Sequence, residues 1–227
     1  MLRLILDRSG EQAAFALADE QDILCQQSWT GGYHSAPDWF AQMLNSLRGS
    51  GCAPQDIAEF VCAIGPGSFS GIRSALATLE GLALPDEKPV LGISTASAIA
   101  FEFVLKEGRA VSVVGDARRS TLWLASFKFD KDCGLTLFNN SAVSQSDSDF
   151  QLVAPLDLAH LLPEDSLVVS PDFDRIGDLL QGSCNSDRLV SEKVAPDITT
   201  YVVMATKYPG LCRREPLPVY LHPAVAG

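Results

Sequence analysis

A change of hydrophobic period near residue 39 constrains this chain more than any other feature. Before it lie three short apolar runs with strand character: Leu2-Arg3-Leu4-Ile5-Leu6, then Ala13 to Ala18, then Ile23 to Trp29. Polar segments at Asp7-Arg8-Ser9-Gly10 and Asp19-Glu20-Gln21-Asp22 separate them. Runs this close together fold back on one another as a meander. After it, Trp39, Phe40, Met43, Leu44 and Leu47 recur at helical spacing. Pro37-Asp38 suits the start of that helix and Gly49 and Gly51 suit its end.

Beyond the first helix the chain alternates. Phe60 to Ile64 reads as a buried strand, and a glycine-rich turn leads into a helix from about Gly71 to Leu84, stopped by Pro85. Val90 to Ile93 reads as a strand, and Thr95 to Leu105 as a helix with Ser94 as its cap. Alternating strands and helices pair in parallel by crossover, whereas the opening meander is antiparallel. A mixed sheet built in this order is the pattern of ribonuclease-H-like domains, the half that repeats in actin-like proteins.

The second half is less regular. Ala110 to Gly115 reads as a strand, Asp116 to Ser120 as a turn, and Thr121 to Phe129 as a strand. The segment from Asp130 to Asp149 is polar and turn-rich and reads as exposed loop. Helices are expected near Leu156 to Leu162, Arg175 to Leu180 and Ile198 to Tyr208, with a strand at Ser166 to Val169. A second, eroded copy of the opening strand hairpin is arguable. The expectation is an α/β protein of the actin-like (ribonuclease-H-like, ASKHA) fold, with two lobes that each carry a mixed sheet and flanking helices. The first lobe is expected over 1–106 and the second over 107–227, the last residues being able to pack back on the first.

Charge narrows the function. The chain has 227 residues and a formal net charge of −11, and its only adjacent arginine pairs are Arg118-Arg119 and Arg213-Arg214. A polyphosphate backbone repels such a surface unless basic residues gather in a patch. A primary role in gripping a nucleic acid is therefore not expected, and a nucleic-acid pathway would need a partner to supply the positive surface. The six cysteines form no C-x-x-C pair and the three histidines, at 34, 160 and 222, are far apart in sequence. Neither pattern suits a metal site, and reduced thiols suit the cytoplasm. No export signal and no membrane-spanning run is evident.

The sharpest local signal is Gly65-Pro66-Gly67-Ser68-Phe69-Ser70-Gly71-Ile72-Arg73. The glycines permit backbone angles closed to other residues, and Ser70 is placed to cap the helix that follows. It lacks the Gly-Lys-Ser/Thr of a phosphate-binding Walker loop, and its third glycine falls one residue late for a dinucleotide fingerprint. A capped structural turn is the better physical reading, with an anion site at the helix start as the alternative.

This string also resembles the Gly-Pro-Gly-Ser-Phe-Thr-Gly-Val/Ile-Arg signature of the TsaB (YeaZ) family. Further similarities run in order: His34-Ser35 before the first helix, Gly81-Leu82-Ala83 in the second, Gly92-Ile93-Ser94-Thr95, Asp116-Ala117-Arg118, and Pro218-Val219-Tyr220-Leu221 near the end. The resemblance implies a two-lobed actin-like fold without its own chemistry and without a cofactor. It implies a TsaD-type partner that holds the metal and transfers threonylcarbamoyl to tRNA, with a TsaE-type ATPase joining through the complex. Self-association as a homodimer is a further implied possibility.

Two surfaces follow for test. Ser74, Ala77, Thr78 and Gly81 form a small-residue face on the second helix, where another helix can approach closely. With Trp39, Met43 and Leu47 of the first helix they are the expected partner-binding residues, and Gly65, Gly67, Ser68, Ser70, Gly71 and Arg73 are the signature loop. Asp7 and Asp116 are the candidates for a residual nucleotide or metal site, or else loop residues paired with Arg8 and Arg118. Arg8 and the Arg118-Arg119-Ser120 turn depart from the family pattern, which usually has Thr at the first and Arg-Met-Gly at the second. No catalytic residue is expected; His34 and Ser35 lack a third, orienting group. An active actin-fold ATPase or kinase, or a homodimeric scaffold unrelated to TsaD, are the competing functions.

Overall fold

The structure, a computed structural model, describes residues 1–30, 38–130, 134–137 and 150–221. It divides into two compact units, Met1–Thr95 with Pro196–Val219, and Ala96–Ala195 with Tyr220–Gly227.

In the first unit, strands β1 (Arg3–Asp7), β2 (Gln12–Ala18) and β3 (Ile23–Thr30) form the antiparallel meander. Strands β4 (Glu59–Ala63) and β5 (Val90–Ile93) add in parallel, giving the order β3-β2-β1-β4-β5. Helices α1 (Trp39–Gly49) and α2 (Phe69–Ala83) come from the connections. Leu4 and Leu6 of β1, Phe15 and Leu17 of β2, and Phe60 and Cys62 of β4 pack with Met43, Leu47, Ala75, Leu76 and Leu79 in one core. Their alternation along each strand puts one sheet face against these helices.

The last helix of the chain, α6 (Ile198–Lys207), lies against β1 and β2, starting at an Asp197 cap that accepts from the Thr199 amide at 2.8 Å. Tyr201 and Met204 are fully buried there. The segment after it closes the exposed edge of β5: Gly92 and Arg213 exchange backbone hydrogen bonds of 2.9 and 2.8 Å, and the Val219 amide donates to Ile64 O at 2.8 Å. A covered edge removes a template for unwanted strand pairing.

The second unit contains most of α3 (Thr95–Glu107) and repeats the sheet plan. Strands β6 (Val111–Arg118), β7 (Thr121–Asp130), β8 (Gly134–Leu137), β9 (Gln151–Val153), β10 (Leu167–Ser170) and β11 (Leu189–Lys193) are ordered β11-β10-β6-β7-β8, with β9 also on β7. The central pair β6–β7 is antiparallel and β6–β10–β11 is parallel, as in the first sheet. The position held by the single strand β3 in the first sheet is split here: β8 pairs with one end of β7 and β9 with the other. Helices α4 (Leu158–Leu161) and α5 (Phe173–Ser183) supply Leu158, Ile176 and Leu180 to a core with Val114, Leu122, Leu124 and Val168.

The actin-like α/β class with two mixed sheets is therefore as expected. The sequence reading omitted β11 and put exposed loop where β8 lies. Both strands are short, and β11 is buried only at its start, so neither carries a long apolar pattern. The second helix begins at Phe69 rather than Gly71, which moves its cap to Ser68. No helix among the described residues is long and apolar enough to cross a membrane.

The β6–β7 turn carries a local conflict. Arg118, Arg119 and Ser120 all have positive φ, at 65°, 51° and 58°. Side chains with a Cβ pay for that conformation, and tight hairpin turns normally recruit glycine or asparagine there. Ser120→Gly is expected to stabilise the protein by about 1 kcal/mol, raising the midpoint of a thermal melt by about 2–4 °C.

Candidate functional site

Two loops meet at the carboxyl ends of β1 and β4, where open α/β sheets commonly bind ligands. One is the Asp7–Gly10 turn between β1 and β2, and the other is the glycine-rich turn between β4 and α2. They touch backbone to backbone. A Cβ built on Gly67 would lie 2.2 Å from Ser9 O, and one built on Gly71 would lie 2.0 Å from Arg8 O. Ser68 N donates to Ser9 O at 2.7 Å. Gly65 turns the chain with φ +95°, and its carbonyl accepts from Thr95 N at 2.8 Å.

The start of α2 is closed from within. The Ser68 hydroxyl accepts from Gly71 N at 3.3 Å and the Ser68 carbonyl from Ile72 N at 2.9 Å. Ser70, expected as the cap, sits exposed in the first turn instead. Ser68 thus caps one amide of the first turn, Ser9 holds the amide of Ser68, and two of the glycines serve close packing. Arg73 is exposed and lies over the Phe69 ring, 5.0 Å from its centroid.

Asp7 ends β1 under this contact and is only 6% exposed. One of its oxygens accepts from Ser9 N at 2.7 Å. The hydroxyls of Ser9, Thr95 and Tyr201 are buried around it; they bear on one another's charge, but none has a partner in good hydrogen-bond geometry. Burial pushes the Asp7 carboxyl up, and the Ser9 and Tyr201 contacts only partly offset it. The Tyr201 phenol is also pushed up, chiefly by burial and then by the nearby Asp7 charge. Arg8, one of the two expected salt partners, points elsewhere, toward α1 and α2.

Asp116 lies near the end of β6, the strand that matches β1 in the second sheet. It makes the same local bond, accepting from Arg118 N at 2.7 Å. Its surroundings differ: Arg118 Nη1 lies 3.2 Å and Arg175 Nε 3.4 Å from its other oxygen. Asp172, before α5, accepts from Asp116 N at 2.8 Å and pairs with Arg175. Guanidinium groups therefore hold this carboxylate where a cation would otherwise sit. No group of three or more His, Cys, Asp or Glu among the described residues is arranged to hold a metal ion. Tyr201, Thr95, Asp172 and Arg175 escaped the sequence reading, because no short motif links them to the aspartates.

Of the residues expected to face a partner, some are open to solvent and some are core. On α2, Ile72, Ala75, Leu76, Leu79 and Ala83 are buried, while Ala77 and Gly81 are exposed and Ser74 and Thr78 are half-buried. A Cβ on Gly81 would meet nothing within 4 Å. On α1, Trp39 is half-buried, but Met43 and Leu47 are 0% and 1% exposed. The last two must be struck from the partner-binding set: they fill the first unit's core, the opposite side of the stripe from the one open to solvent. His34 and Ser35 lie outside the described residues.

Comparison with known proteins adds to this geometry. Residues 36–144 match the family model described as TsaD, tRNA N6-adenosine threonylcarbamoyltransferase. The chain is 34% identical over 88 residues to the Escherichia coli (strain K12) tRNA threonylcarbamoyladenosine biosynthesis protein TsaB, covering 38% of each chain. It is 26% identical over 130 residues to the Bacillus subtilis (strain 168) protein of the same name, covering 57% of this chain and 56% of the relative. The matched stretches thus span under two thirds of these relatives' own lengths. YeaZ from Pseudomonas aeruginosa superposes with a TM-score of 0.73 at 20% identity, over 96% of this chain and 100% of that one. Over these stretches the chain is similar to TsaB proteins, and it shares the fold of YeaZ. The glycine-rich string is here a packing joint: Gly67 and Gly71 let α2 close on the first turn. The Gly92 stretch is another joint, since a Cβ there would lie 2.8 Å from Ile64 Cγ2 and 3.0 Å from Pro216 Cβ.

Two expectations follow. Gly71→Ala drives a methyl into Arg8 O and should destabilise the fold by about 2 kcal/mol in urea denaturation. Asp7→Asn removes a buried charge. The unfolded carboxyl titrates near 3.8 and the folded one above it, so the penalty is absent below pH 3.8 and grows as pH rises to the folded value. Asp7→Asn should therefore be more stable than the native protein at neutral pH, and the difference should vanish in melts below pH 3.8.

Proposed function

We propose that this chain is a non-catalytic subunit that binds and supports a TsaD-type threonylcarbamoyltransferase in tRNA threonylcarbamoyladenosine formation. The observation that carries the reading is the exposed face of α2. One side of this helix is buried core, yet Ala77 and Gly81 lie open and flanked by half-buried Ser74 and Thr78. A strip of small residues on a rigid helix lets a partner helix approach to close packing distance. Phe69 at one end and Leu84 at the other, 57% and 75% exposed, extend the face with apolar area.

The names of the curated relatives support the pathway, and the matching family model supports the class of partner. The net charge of −11 supports leaving tRNA contact to that partner. A TsaE-type ATPase would join through the complex. The close packing of the two turns beside Asp7 and the arginines on Asp116 favour a scaffold over an ATPase, since the chain's own groups partner these loops.

Native mass measurement of this protein with the TsaD-type protein of the same organism, with and without ATP, tests the reading. A stable mixed complex is expected. Gly81→Arg should abolish that complex while leaving the melting temperature unchanged, because the new side chain enters open space in the free protein. Normal complex formation by Gly81→Arg would sink the α2 interface, and failure of the native pair to associate under any condition would sink the partnership.

A further inference from the structure

Arg8 sits in the first turn and is 4% exposed, although its neighbours in sequence face the Asp7 cluster. Its guanidinium carbon lies 4.3 Å from the centroid of the Trp39 ring at the start of α1. Its Nη1 donates to the Ser74 hydroxyl at 2.7 Å, and that hydroxyl in turn donates to Gly71 O at 3.0 Å. Its backbone carbonyl is the atom that leaves no room for a Cβ on Gly71. One residue thus ties together the first turn, the first helix and the second helix.

We infer that Arg8 is a positioning residue for the partner face, holding Trp39 as a pre-formed anchor beside the small-residue strip of α2. The inference rests on the α2 docking reading above. Trp39 needs such support. It is the first residue of α1, and Asp38 before it makes no side-chain capping bond. A tryptophan at an uncapped helix start samples several rotamers, and fixing it beforehand spares that entropy on binding. Arginine suits the task because its flat fork stacks on an aromatic face while an edge N–H reaches sideways to Ser74. A lysine has one compact charge and cannot do both. Ser74 is half-buried, so the clip ends on the strip itself and fixes its position relative to Trp39.

Affinity for the TsaD-type protein of the same organism is measured by calorimetry for the native chain, Arg8→Lys, Ser74→Ala, Trp39→Ala and the Arg8→Lys/Trp39→Ala pair, each checked by thermal melt. Arg8→Lys is expected to weaken binding about tenfold, and Ser74→Ala, which leaves the buried cation in place, to weaken it in the same direction. The double variant should bind no worse than Trp39→Ala alone, because Arg8 acts through that ring. A purely structural Arg8 would instead lower the melting temperature and give additive losses. Folded Arg8→Lys and Ser74→Ala proteins that bind like the native chain overturn the positioning role and leave the docking reading intact. Absence of any complex with the native chain overturns the docking reading and this inference with it.

Discussion

The structure of the first unit depends on the contact between the Asp7–Gly10 turn and the glycine turn ahead of α2. Two backbones approach until Gly67 and Gly71 have no space for a methyl group. That closeness decides the direction of α2, seats Ser68 as its cap and brings Ser74 within reach of Arg8. It also brings two loops into backbone contact at the carboxyl ends of β1 and β4. A motif that could have bound a ligand is used to join two pieces of the chain.

The two sheets share one plan but differ at the ends of their first strands. Asp7 and Asp116 occupy matching positions and each accepts a bond from the amide two residues on, at 2.7 Å. Around Asp7 is buried surface, which raises its pKa, with hydroxyls that only partly offset the rise. Around Asp116 are Arg118 and Arg175, which supply its countercharge directly. The same fold position has thus been settled by two different kinds of partner, and neither leaves a carboxylate facing an open cation site.

The fold was largely legible because it rests on periodicity and order of elements. The opening meander, the crossovers and the buried side of α2 all follow from where Leu4, Leu6, Leu76 and Leu79 recur. The second sheet was harder to read. Its third strand position is shared by β8 and β9, pieces too short to show an alternation. Exposure on the two helices was half legible: Ala77 and Gly81 of α2 are open and Ser74 and Thr78 half-buried, whereas Met43 and Leu47 lie in the core. A stripe of five apolar residues on α1 says that the helix has an apolar side, but only the sheet beneath it decides which of them are covered.

By itself the sequence determined the actin-like class, the glycine-rich turn ahead of α2 and the acidic net charge. These depend on local spacing, on backbone angles and on net charge, all of which a chain carries before it folds. Tertiary structure alone decided the partners of Arg8, the burial of Asp7 beneath Tyr201 and the capture of Asp116 by Arg175. Those contacts join residues far apart in the chain, and side-chain distance across a fold is not encoded in any short pattern. For that reason the sequence could name the two aspartates, and only the packing around them could say what each one does.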